Sequence, residues 1–148
     1  MRTHIRILTL TGLLGAGLLA SAGAEKKIEG GPKGGRLLDK NSPKAEFFVE
    51  KDRTVTISFY DDKLQPVPVG NQVVTVIAEA KSGKAKVELE RKGGRLVSSM
   101  PLPEGDGYTI VVMIKAREDA KSQNFRFKLE THTCGGCKRA EYACTCDH

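Results

Sequence analysis

The stretch Thr54-Val55-Thr56-Ile57-Ser58-Phe59-Tyr60 decides the fold class of this chain. Val55, Ile57 and Phe59 alternate with residues that carry a hydroxyl group, and this period of two is typical of a β-strand. One face of such a strand is apolar and the other is polar. We therefore expect a half-buried strand in an antiparallel sheet.

Runs of the same character recur along the chain at short, regular intervals. They predict further strands at 45–50, 73–78, 86–91, 95–99, 108–115 and 124–130, with an extended edge or connecting segment at 65–70. Gly93-Gly94 predicts a tight hairpin turn, and 116–121 has room for one helical turn at most. The predicted fold is all-β: a small antiparallel β-sandwich, immunoglobulin-like or related, over residues 36–130. The chain has no tryptophan and no cysteine before Cys134, which excludes a true antibody-type domain.

The N-terminus has the pattern of a secretory signal peptide over residues 1–24. A short basic start is followed by an apolar run at 7–20 and by Ala22-Gly23-Ala24, which fits the small-x-small cleavage rule. An uncleaved anchor is the alternative, but the apolar run is shorter than the roughly 20 residues of a comfortable membrane span. Residues 25–35, rich in Gly, Lys and Pro, are predicted to form a flexible leader. We expect a periplasmic or secreted protein with no membrane span after processing.

Charge and composition exclude several function classes. Loss of Arg2 and Arg6 with the signal peptide lowers the net charge from +6 to +4, and the remaining Lys and Glu are interleaved. A nucleic-acid partner would require a concentrated basic stripe, so none is expected. No histidine lies between His4 and His132, so a Ser/His/Asp set cannot form in the body, and we predict that the protein is not an enzyme.

The segment 131–148 carries all four cysteines and two of the three histidines, in the pattern H-x-C-x2-C-x6-C-x-C-x-H. Thiolates and imidazoles are the ligands of Cu(I) and Zn(II). Gly135-Gly136 is expected to let the first pair face one ion, and the connection 138–143 to fold the second pair back. C-x-C fits a tetrahedral zinc site less readily, which favours copper narrowly. The predicted ligands are Cys134, Cys137, Cys144 and Cys146, with His132 and His148 as alternates.

Two other hypotheses fit the same cysteines. An exported chain with an even cysteine count can form two disulfides, for which three pairings exist. Every such bridge would lie within 134–146 and stabilise by at most ~3 kcal/mol. None would join the tail to the body, so the body is expected to present a mobile tail. Redox chemistry at Cys134-Gly135-Gly136-Cys137 is the third hypothesis, but it normally requires a helix in a thioredoxin-like setting.

Three short motifs carry a resemblance to a known group of proteins. They are Lys33-Gly34-Gly35-Arg36-Leu37, Glu46-Phe47-Phe48-Val49 and the run from Thr54 to Asp61. Together they resemble small exported β-domains linked to bacterial heavy-metal efflux, found alone or appended to periplasmic adaptor subunits of metal-exporting pumps. The resemblance covers roughly 33–130. It implies an envelope location, metal handling, and a metal-efflux adaptor or another envelope protein as partner. The resulting hypothesis is a protein that sequesters or hands over a soft metal ion through its tail.

Overall fold

A computed structural model describes residues 27–38 and 41–146, and within these ranges the chain is built from short antiparallel strands. The strands are β1 (Glu29–Gly30), β2 (Arg36–Leu37), β3 (Lys44–Val49), β4 (Val55–Tyr60), β5 (Pro66–Val67), β6 (Val73–Ala80), β7 (Gly83–Val87), β8 (Leu89–Lys92), β9 (Arg95–Ser98), β10 (Tyr108–Lys115) and β11 (Gln123–Leu129). One 3-10 turn, Glu141–Ala143, follows them. The predicted signal peptide lies outside the described residues. No helix in the described ranges combines the length and the apolar character needed to cross a membrane.

The strands form two sheets, as the prediction of a small antiparallel sandwich requires. Sheet A has the order β1-β2-β3-β4-β9-β8, with β5 also paired to β4, and sheet B has the order β11-β10-β6-β7. The predicted single strand at 86–91 is instead two strands. β7 pairs with β6 in sheet B up to Val87, and β8 pairs with β9 in sheet A from Leu89. Glu88 is thus the point at which one extended run changes sheets.

The hydrophobic core lies between the two sheets and is filled by alternate residues of their central strands. Its fully buried large side chains include Phe47, Ile57, Phe59, Val76, Ile110, Val112 and Leu129. The alternation that predicted β4 therefore places its apolar face correctly, in contact with sheet B.

The second face of β4 differs from the prediction, because it is buried as well. Thr56, Ser58 and Tyr60 are only 3–4% exposed, although their hydroxyl groups predicted a solvated face. The reason is that residues 31–35 fold over this side of sheet A. The carboxylate of Glu46, on the adjacent strand, lies beneath them and is itself fully buried.

That carboxylate organises the N-terminal segment. Glu46 Oε1 accepts the backbone N–H of Gly35 at 2.7 Å and of Lys33 at 3.0 Å, and Oε2 accepts the hydroxyl of Tyr60 at 2.7 Å. A Cβ at Gly31 would lie 2.1 Å from Glu46 Cδ, so only glycine allows this approach. Residues 31–35, which we call the N-terminal cover, are therefore packed on sheet A. The described part of the predicted leader also contributes strand β1.

Candidate metal centre

The C-terminal segment is docked on the sandwich, which corrects the expectation of a mobile tail. Tyr142 is buried, and its ring lies edge-on to Phe47 at 5.8 Å between centroids and stacked on Phe127 at 6.3 Å. Its hydroxyl accepts the backbone N–H of Val49 at 3.0 Å. The signal that could have predicted this docking is Tyr142-Ala143, an aromatic and an apolar residue that follow the charged Glu141 in this connection.

Two arginines join the tail to the N-terminal segment. Arg139 Nη1 donates to the carbonyl of Gly31 at 3.0 Å, and Arg36 Nη1 donates to the carbonyl of Tyr142 at 3.3 Å. Arg36 also lies over the Phe127 ring, 4.8 Å from its centroid. Both ends of the described chain therefore pack together beside β3.

The first pair of cysteines lies on a tight loop closed by a bridge between Thr133 and Ala140. Cys134 N–H donates to Arg139 O at 2.7 Å, and Lys138 N–H donates to Cys134 O at 3.2 Å. Lys138, with a φ of 62°, is the residue in the left-handed region, whereas neither Gly135 nor Gly136 adopts a positive φ. The turn was correctly predicted, but the glycines do not supply its unusual backbone conformation.

The second pair of cysteines follows the 3-10 turn. This turn reverses the chain, and Cys144 N–H donates to Glu141 O at 3.0 Å. Cys144 then faces the first loop, and Cys146 N–H donates to Cys144 Sγ at 3.5 Å. The short connection therefore folds the second pair back onto the first, as the spacing predicts.

The four sulfur atoms converge on one point. All lie within 4.8 Å of one another, and they form the one group of three or more His, Cys, Asp or Glu ligand atoms among the described residues. Cys137 Sγ is 3.6 Å from Cys144 Sγ, and Cys134 Sγ is 3.9 Å from Cys146 Sγ. Zinc–sulfur bonds of ~2.3 Å in a tetrahedron place sulfurs about 3.8 Å apart. The two spacings match that edge, so the set can hold one soft metal ion.

The closest sulfurs are those of Cys134 and Cys144, at 2.7 Å. This separation is longer than the ~2.05 Å of a disulfide bond and shorter than the edge of a thiolate tetrahedron. No disulfide joins the cysteines of the described chain. An ion between the four sulfurs would move this pair apart by about 1 Å.

The local environment separates the pKa values of the thiols. Backbone hydrogen bonds from Thr145 and from Arg139 lower the pKa of Cys137 to about 6. The hydrogen bond with Cys134, followed by burial, raises the pKa of Cys144 to about 12. Thiolates this close together repel one another, and a bound cation would offset that repulsion.

The two glycines of the loop have different roles. A Cβ at Gly136 would lie 2.7 Å from Cys146 Sγ, whereas a Cβ at Gly135 would meet no atom within 4 Å. Gly136 therefore gives the fourth sulfur room to approach the first loop, and Gly135 borders open space. The spacing alone does not separate these roles.

The structure places His132 apart from the sulfur group. Its side chain is 65% exposed, and Nδ1 lies 3.8 Å from Asp106 Oδ2. His148 lies outside the described residues. Among the described residues, the candidate metal centre therefore consists of the four cysteine thiols.

Comparison of the chain with protein-family models, with curated proteins and with solved structures finds no significant match in any of the three.

Proposed function

We propose that this protein binds one soft metal ion between Cys134, Cys137, Cys144 and Cys146, and that it sequesters the ion or hands it over. The observation that carries this proposal is the convergence of four sulfurs within 4.8 Å on a docked, ordered segment. Four thiolates in a tetrahedron favour Zn(II), and the same ligands also suit Cu(I). The C-x-C half reaches the common centre as well, and the proposal covers both ions.

The setting of this activity is part of the same proposal. The signal-peptide pattern of residues 1–24 supports export to the periplasm or beyond, where free thiols are exposed to oxidation. The resemblance to efflux-linked β-domains supports an envelope partner, such as the adaptor of a metal-exporting pump. The absence of a histidine from the body supports a non-enzymatic role.

Native mass spectrometry of the reduced protein tests the metal site. We expect one zinc ion per chain, or one copper ion under anaerobic conditions with Cu(I), and loss of that ion in Cys144→Ser. Thr145→Ser keeps every sulfur and serves as the matched control, for which full occupancy is expected.

The rival function is a structural or interaction module whose tail is closed by two local disulfides. It predicts a mass lower by the hydrogens lost in two disulfides, and no metal uptake after reduction. That pair of results would contradict the metal-binding proposal.

A further inference from the structure

The two inner and two outer cysteines of the candidate metal centre differ in exposure. Cys134 and Cys144 are 2% and 3% exposed, whereas Cys137 and Cys146 are half-buried. Gly135 and Gly136, beside the accessible pair, are exposed. An ion held by the four sulfurs would be covered on the inner side by the protein and approachable from the outer side.

Among the described residues, the loop beside the accessible pair is small and carries one exposed cation. A Cβ at Gly135 would meet no atom within 4 Å, so this part of the loop borders open space. Lys138 is exposed, and its Nζ donates to the carbonyl of Gly135 at 2.7 Å, which holds an ammonium group at the rim. Arg139, in contrast, is turned away toward Gly31. An anion that approaches the accessible pair from this side therefore meets a cation on an exposed, glycine-rich loop.

We propose that the centre exchanges its ion through the face formed by Cys137 and Cys146 with a partner that presents a cysteine thiol. This inference rests on the proposed function. Thiolate is the ligand class that competes with thiolate for Zn(II) or Cu(I), and a cysteine side chain is slender and anionic when ionised. The incoming sulfur forms a bond to the metal, and the bond from the metal to Cys137 or Cys146 breaks. The released thiolate takes up the proton that the incoming thiol gave up, so no oxidant or reductant is needed.

Zinc transfer from the loaded protein to an excess of a chromogenic zinc indicator tests this exchange, with glutathione as the thiol probe. We expect a transfer rate that rises in proportion to glutathione and does not respond to S-methylglutathione. Gly135→Leu adds bulk to the exposed loop beside Cys137 and should slow the glutathione-dependent rate by about tenfold at unchanged zinc stoichiometry. Gly135→Ala, with a small side chain at the same position, should behave as the wild type.

A transfer rate independent of glutathione, in protein that holds one zinc, would overturn the exchange face and leave the metal site standing. Equal rates for Gly135→Leu and Gly135→Ala would do the same. Failure to bind zinc at all would instead overturn the proposed function.

A measurement on the wild type alone adds a further test: in the zinc-loaded protein, iodoacetamide should modify Cys137 and Cys146 before Cys134 and Cys144. Equal modification of all four would contradict the inference.

Discussion

The hydroxyl of Tyr142 accepts a hydrogen bond from the backbone N–H of Val49, and this contact of 3.0 Å joins the cysteine-bearing segment to the end of β3. Because the 3-10 turn carrying Tyr142 leads directly into Cys144, the position of the second cysteine pair depends on the sandwich. The candidate metal centre is thus part of the folded domain.

Tyr142→Phe should lower the free energy of unfolding of the metal-free protein by about 1 kcal/mol, because the N–H of Val49 loses its partner. Tyr142→Ala also removes the packing against Phe47 and Phe127 and should cost about 3–5 kcal/mol. Urea unfolding followed by circular dichroism measures both. A Tyr142→Ala variant as stable as the wild type would show that the segment is not docked.

Gly136→Ala should weaken zinc binding by about 10- to 100-fold, a range typical of changes that displace a ligand without removing it. The added Cβ, 2.7 Å from Cys146 Sγ, must push that sulfur out of the group. Gly135→Ala is the matched control and should bind zinc as tightly as the wild type, since its Cβ meets no atom. Competition with a chelator of known affinity measures the two constants, and equal affinities would disprove the role of Gly136.

Glu46→Gln should destabilise the protein by about 2–4 kcal/mol, because an amide cannot accept all three donors that the buried carboxylate accepts. Glu50→Gln, four residues further along the chain, is the control. Glu50 pairs with Lys33 at 2.8 Å in a partly exposed setting, and this loss should cost at most about 1 kcal/mol. Thermal unfolding of both variants tests the difference. Similar losses would mean that Glu46 does not hold the N-terminal cover.

The three tyrosines of the chain should titrate abnormally in the folded protein. Burial, with the neighbouring Glu46, raises the pKa of Tyr60 to about 12, burial raises the pKa of Tyr142 to about 12, and burial also raises the pKa of Tyr108. In the unfolded chain all three ionise near ~10. The folded state therefore retains protons that the unfolded state loses between pH 10 and 12.

The resulting stability is fully present below pH 10 and is lost as the pH rises through that window. The absorbance of the tyrosine phenolates, followed against pH with and without denaturant, measures the shift in their pKa values. A folded-state midpoint equal to that of the denatured chain would contradict the burial of these rings.

The predictions that the structure confirms depend on residues that lie close together along the chain. The alternation of Val55, Ile57 and Phe59 identifies β4, because successive side chains of a strand point to opposite faces of the sheet. The connection between Cys137 and Cys144 is too short to let the cysteine pairs separate far. Such features require only neighbours along the chain.

The features that sequence reasoning missed arise from contacts between distant residues. The polar face of β4 is buried because residues 31–35 cover it. The sequence of β4 alone does not predict that burial. The docking of the C-terminal segment likewise depends on Phe47 and Phe127, which lie far from Tyr142 along the chain.

By itself, the sequence determined the all-β class and the candidate sulfur ligands, since both follow from short-range periodicity and composition. Only the tertiary structure decided which two of the four sulfurs are covered and which two are accessible. That arrangement depends on bonds such as Arg139 to Gly31 and Arg36 to Tyr142, which join residues 108 and 106 positions apart. Contacts of that range form only when the whole chain has packed, because the entropy of closing so long a loop must be offset by many interactions at once.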